Sequence, residues 1–161
     1  MKSAQAIDSI DLKILQSLQR DGRISVVQLA EEVGLSVTPC LRRIKRLESD
    51  GIIRGYRAEL DPKKVGCAFQ AFIQVRLSDH AEKTVEDFEL AILRQPEVVA
   101  CYAMTGDTDF LLHVMTSDLD ALSEFAVKTL LRMPGVRESH SSIVFSILKE
   151  KSGIPITAIS A

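Results

Sequence analysis

The sequence predicts an α+β chain in two parts: three short helices, then a βαββαβ unit. Three observations carry this. Apolar residues recur at helical spacing through the first fifty positions, between well-placed capping residues. Beyond a polar, Pro-containing stretch the pattern changes to alternating strands and amphipathic helices. A short segment also repeats: Leu93-Arg94-Gln95-Pro96-Glu97-Val98 is echoed by Leu131-Arg132-Met133-Pro134-Gly135-Val136, each closing a helix and opening a strand. The expected domains are 1–60 and 67–161, with 61–66, containing Asp61-Pro62-Lys63-Lys64, as linker.

Asp8 suits the cap of a first helix, with Asp11 in its first turn near the positive end of the dipole. Ile10, Ile14, Leu15 and Leu18 share a face, and Asp21-Gly22 ends the helix. Ser25-Val26-Val27-Gln28 is a capping box that opens a second helix, with Leu29, Ala30 and Val33 inward and Gly34 just past its end. Ser36 is the expected cap of a third helix, Pro39 falls in its first turn, and Gly51 closes it. Ile53, Tyr56, Ala58 and Leu60 suggest a short strand, although the apolar spacing slips at Gly55. These elements predict a helix-turn-helix unit of winged-helix-like type.

The second part reads as strand 68–78, helix 82–94, strand 98–105, strand 110–116, helix 118–131 and strand 136–148. That is the ferredoxin-like split unit, with both helices on one face of a four-stranded sheet. In the first strand Phe69, Ala71, Ile73, Val75 and Leu77 point one way. Ala68, Gln70, Phe72, Gln74 and Arg76 point the other. The second set is too apolar for bare solvent and too polar for a core, so a homodimer through the sheets is expected.

At 161 residues, 46% apolar and 26% charged, the chain has ordinary globular composition. Its net charge of −2 excludes a uniformly basic binder. The charge is uneven, however. Residues 1–60 hold ten basic and eight acidic side chains; the remainder holds ten and fourteen. No stretch is long and apolar enough to span a bilayer. Met1–Ala6 leads into Asp8 and Asp11 without an apolar core, so no signal peptide is expected. Cys40, Cys67 and Cys101 are odd in number and far apart, which argues against a disulfide framework and for the cytoplasm.

Chemistry concentrates on the third helix. Val37, Cys40, Ile44 and Leu47 form its apolar side. Thr38, Arg42, Lys45, Arg46 and Ser49 cluster opposite, with Arg43 on a flank. Cations for phosphates, with short polar side chains near the N-terminus, are what a recognition helix needs. The candidate DNA-contacting residues are Ser36, Thr38, Pro39, Arg42, Arg43, Lys45 and Arg46, joined by Arg54 and Arg57 from the following strand. A charged outer face equally suits plain solvation, and three-helix units also bind proteins; the helix–Gly-Leu-Ser–helix spacing favours DNA.

Thr105-Gly106-Asp107-Thr108-Asp109 has ordinary turn residues and reads first as a hairpin turn. It also suits a free amino acid, with turn N–H groups for the carboxylate and Asp107 or Asp109 for the ammonium. Catalytic signals are missing. His80, His113 and His140 have no metal-ligand spacing, and neither a nucleophile elbow, a P-loop nor a dinucleotide fingerprint is present. No enzymatic activity, metal or cofactor is expected. Cys40 lies on the apolar side of its helix, where a redox thiol is poorly placed.

Asp8-x-x-Asp11-x-x-Ile14-Leu15-x-x-Leu18, Asp21-Gly22-Arg23, Leu29-Ala30 and Leu35-Ser36-x-x-Pro39-Cys40-x-x-Arg43-Ile44-x-x-Leu47-Glu48-x-x-Gly51-Ile52-Ile53 together resemble the Lrp/AsnC (leucine-responsive/asparagine, "feast/famine") family of prokaryotic transcription regulators. Pro96-Glu97-Val98, Thr105-Gly106-Asp107-x-Asp109-Phe110-Leu111-Leu112 and Pro134-Gly135-Val136 resemble the family's ligand-binding and assembly module. The resemblance spans about 8–155. It implies double-stranded DNA as partner, dimers assembling into tetramers or octamers, and a small effector, usually an amino acid, between subunits. It points to Met104, Thr105, Gly106, Asp107, Thr108 and Asp109, and from the last strand to Ser141, Ser142 and Ile143. A ligand-sensing oligomer whose helices contact protein, and a small enzyme on the ferredoxin-like half, remain the alternative classes.

Overall fold

The computed structural model describes residues 6–149 and 153–156, in two compact units. The first contains helices α1 (Ser9–Arg20), α2 (Val26–Val33) and α3 (Val37–Ser49). Asp8 and Asp11 form a reciprocal capping box on α1, and Ser25 and Gln28 form one on α2. Gly34 ends α2 in the left-handed conformation at φ 73°, where any side chain would be strained. Ser36 occupies the N-cap position of α3 but makes no side-chain cap bond, contrary to expectation. Ile14, Leu29, Ala30, Val33, Cys40, Ile44 and Leu47 form the core.

The expected strand over 53–60 does not form: these residues are irregular and mostly exposed. Gly55, at φ 145°, leaves the strand region of the backbone, and among the described residues no neighbouring strand supplies the missing hydrogen bonds. The described tail residues 153–156 group with this helical unit, not with the sheet. Gln19 Nε2 donates to Ile154 O at 3.2 Å, and Leu12, Leu15, Tyr56 and Ile156 help to line a cavity of about 420 Å³.

The second unit, Leu60–Lys149, contains β1 (Phe69–Leu77), α4 (Glu82–Ile92), β2 (Val98–Ala103), β3 (Phe110–Thr116), α5 (Leu119–Glu124) and β4 (Val136–Ile143). The sheet order is β2-β3-β1-β4, all antiparallel. Ala71, Ile73, Val75, Leu112 and Val114 of the sheet are wholly buried against Phe88 of α4 and Phe125 and Leu130 of the second helical segment. The rings of Phe88 and Phe110 lie 4.7 Å apart.

Two elements differ from expectation. The helix expected over 118–131 is α-helical only to Glu124, then winds as a π-turn over Phe125–Thr129 and a 3₁₀ turn over Leu130–Arg132. Phe125 and Leu130 are both buried and five residues apart; a wider i→i+5 turn brings that spacing to one face. The last strand ends at Ile143, not at 148. Among the described residues it pairs with β1 alone, and Ala71 opposite Ile143 is the last pair of that ladder, leaving Phe145 fully exposed.

Candidate nucleic-acid interface and effector site

Helix α3 presents Cys40, Ile44 and Leu47 to the core, which fixes what faces out. Thr38, Arg42 and Lys45 are exposed on the opposite side, Ser36 is exposed and Pro39 half-buried. Arg42 and Lys45 make no ion pair with any described residue. Arg54 and Arg57 are exposed in the irregular segment after the helix.

Arg43 and Arg46 are placed differently. Asp11 is wholly buried, and its carboxylate accepts from Arg43 Nη1 at 2.8 Å and from Arg46 Nη2. Arg43 Nη1 also donates to Asp8 at 2.7 Å. The sequence pattern puts Arg46 among the outward cations; the structure turns it, with Arg43, towards α1. The Asp11 N–H and then the Arg43 guanidinium hold the Asp8 carboxyl below its usual range, and Asp11 and then Asp8 raise the Arg43 guanidinium. The sequence places Asp11 in the first turn of α1, near the positive end of its dipole; its burial and its pairing with α3 emerge only in the structure.

The Thr105–Asp109 segment is a turn between β2 and β3, closed by Met104 N donating to Asp109 O at 2.8 Å. Gly106 sits at φ 100°. Asp109 is occupied within the fold: its carboxylate accepts from Leu77 N at 2.7 Å and meets His80 Nε2 at 2.8 Å. His80, then the Leu77 N–H, lower its pKa. The carbonyl oxygen of Asp107 accepts from Arg76 Nε, while its carboxylate binds no described residue. Met104 to Asp107 are exposed, and the N–H groups of Gly106, Asp107 and Thr108 donate to no described residue.

Ser141, Ser142 and Ile143 do not join this turn. They are exposed on β4 and pair with Ile73, Phe72 and Ala71. The turn is bonded to the other end of β1, on its other side, through Val75 O and Leu77 N. Along β1 the two groups are two to six residues apart, about 7–20 Å, and they lie on opposite sides of that strand.

The open face of the sheet carries Phe72, 38% exposed and stacked on His113 at 4.8 Å. His113 Nε2 lies 3.3 Å from Gln70 Oε1. Cys40 is buried, which raises its thiol pKa and removes thiolate character. Among the described residues no group of three His, Cys, Asp or Glu is arranged to hold a metal, and no helix is long and apolar enough to cross a membrane.

A trihelical unit with an outward cationic helix, joined to a ferredoxin-like sheet, is the layout of a ligand-responsive DNA-binding regulator. The profile of the Lrp/AsnC ligand binding domain matches residues 70–154, and that of a winged helix-turn-helix DNA-binding domain matches residues 7–54. The chain belongs to the Lrp/AsnC family of transcriptional regulators. It is 42% identical over 144 residues to the proline dehydrogenase transcriptional activator of Rhizobium radiobacter, covering 89% of this chain and 92% of that one. It is 39% identical over 150 residues to the leucine-responsive regulatory protein of Escherichia coli K12, covering 93% and 92%. A transcriptional regulator of Neisseria meningitidis, solved as its L-Met complex, superposes with a TM-score of 0.89 at 44% identity, covering 93% of this chain and 97% of that one.

Proposed function

We propose that this regulator binds DNA through α3 as a homodimer and senses a free amino acid at the β2–β3 turn, without catalysing a reaction. Thr38, Arg42 and Lys45 face the duplex, with Ser36 and Pro39 at the helix start and Arg54 and Arg57 reaching backbone phosphates. The exposed sheet face around Phe72 meets its counterpart on a second copy.

One observation carries the effector reading: the N–H groups of exposed Gly106 and Asp107 and half-buried Thr108, with the Asp107 carboxylate, are unused by the described chain. The N–H groups suit a carboxylate and Asp107 suits an ammonium. Asp109 does a different job and holds the turn to β1. Within one chain Ser141–Ile143 lie too far away to complete the site, which supports a pocket shared between copies. The L-Met complex of the Neisseria regulator makes methionine the first ligand to try.

The test is a thermal-shift screen of the purified protein against the twenty amino acids, with Asp107→Ala alongside. A ligand at about 100 times its Kd that binds only the folded state adds about 2.7 kcal/mol. A hit that Asp107→Ala abolishes supports the site. Silence at millimolar concentration, or a hit indifferent to Asp107, contradicts it.

A further inference from the structure

Helix α3 carries two cation pairs at i, i+3 spacing, Arg42 with Lys45 and Arg43 with Arg46. They are offset by one residue, roughly 100° around the helix. Helix α1 presents a matching acidic pair, the N-cap Asp8 and Asp11. One cation pair meets that acidic pair; the other faces outward.

We propose that Asp11, assisted by Asp8, is the positioning residue of the DNA-reading helix: it clasps Arg43 and Arg46 against α1 and leaves phosphate contact to Arg42 and Lys45. This rests on the reading of α3 as the DNA-binding helix. The Asp11 side chain has no solvent exposure, and its charge is neutralised by two guanidiniums, with the Asp8 N–H as a further donor at 3.1 Å. Arg43 and Arg46 are themselves only 25% and 22% exposed. If either swung out to a phosphate it would trade one anion for another and leave Asp11 buried and under-compensated. Arg42 and Lys45 give up no partner of the described chain, so their contact with phosphate is undiminished gain. Arg46 Nε is buried and finds no acceptor among the described residues, so Asp11 is what holds that guanidinium.

The clasp also sets the rotation of α3 about its axis. Cys40, Ile44 and Leu47 pack α3 on the core, and two directional ion pairs to one carboxylate add an angular constraint to that packing. Asp11 thereby fixes which side chains meet the groove without touching DNA itself.

The experiment is a salt series of binding to a fluorescent duplex of mixed sequence, with circular dichroism to verify folding. Each phosphate-binding cation contributes about 0.9 to the magnitude of the slope of log K on log salt. Arg42→Gln and Lys45→Gln should each lower it by about 0.9. Arg43→Gln and Arg46→Gln should lower the melting temperature and leave the slope at the wild-type value. Asp11→Asn should steepen the slope by up to about 1.8, because two cations are released to the duplex. A residue with a merely structural role lowers stability and leaves the slope alone. Loss of about 0.9 in Arg43→Gln or Arg46→Gln overturns the clasp. If no α3 cation moves the slope, α3 is not the DNA-binding helix and the underlying reading fails instead. Should Asp11→Asn not fold, the two arginine variants decide alone.

Discussion

The Asp109 carboxylate accepts the Leu77 N–H at 2.7 Å and so ties the β2–β3 turn to the end of β1. Leu77 is buried, and Asp109 supplies the acceptor that its N–H needs. Asp109→Ala leaves that donor unsatisfied and should cost about 1–3 kcal/mol, read from urea unfolding. The Asp109 pKa is depressed in the fold, by His80 first and the Leu77 N–H second. Its contribution is therefore complete above the ordinary carboxylate value of about 3.9 and is lost as pH falls through the lower folded value. The acid limb of stability should be shallower in Asp109→Ala than in the wild type. An unchanged limb contradicts this assignment.

Two helix caps that look alike in sequence should behave differently. Asp8 closes a capping box and also binds Arg43, so Asp8→Ala should destabilise by about 1–2 kcal/mol. Its depressed pKa again gives stability present above about pH 4 and lost on acidification. Ser36 makes no side-chain cap bond, so Ser36→Ala should stay within about 0.5 kcal/mol of wild type. Equal losses in denaturant titrations would contradict the difference.

These contrasts show which parts of the fold were legible in the sequence. Capping at Asp8 and Ser25 and the stop at Gly34 depend on groups within four residues, so local spacing reveals them. The buried alternation of β1 is equally local. The Asp11 clasp joins residues 32 and 35 positions apart, and the His80–Asp109 contact joins residues 29 apart; no short-range pattern encodes either. The strand expected over 53–60 and the last residues of the strand expected to 148 have the right composition but no partner strand among the described residues. A strand needs a ladder, and composition alone cannot supply one. For the candidate sites, the outward position of Arg42 and Lys45 follows from helical period alone. The inward turn of Arg43 and Arg46 does not, because it depends on where α1 packs.

Gly135 has φ 73°, and a Cβ built there lies 2.3 Å from Thr84 Cγ2. Gly34 has the same φ with nothing within 4 Å. Gly34→Ala should therefore cost about 1–2 kcal/mol from backbone strain alone, and Gly135→Ala distinctly more. Adding Thr84→Ser, which removes the clashing methyl, should recover part of the Gly135→Ala loss in thermal unfolding. Equal losses at the two glycines would show that the clash relaxes freely.

Phe72 is exposed on the sheet face, so Phe72→Asp should leave the monomer folded. It places a charge on the face proposed to meet a second copy and should shift the protein towards monomer in sedimentation velocity. An unaltered oligomer places the dimer interface elsewhere.

In the proposed function one chain couples amino-acid binding to DNA binding. The most direct measurement enriches a duplex from a random-sequence library with the wild-type protein. Its affinity is then determined with and without the amino acid that raises the melting temperature. The duplex affinity should change by a definite factor, and amino-acid affinity by the same factor, by reciprocity, when the duplex is saturating. Superimposable isotherms with the amino acid bound would contradict it.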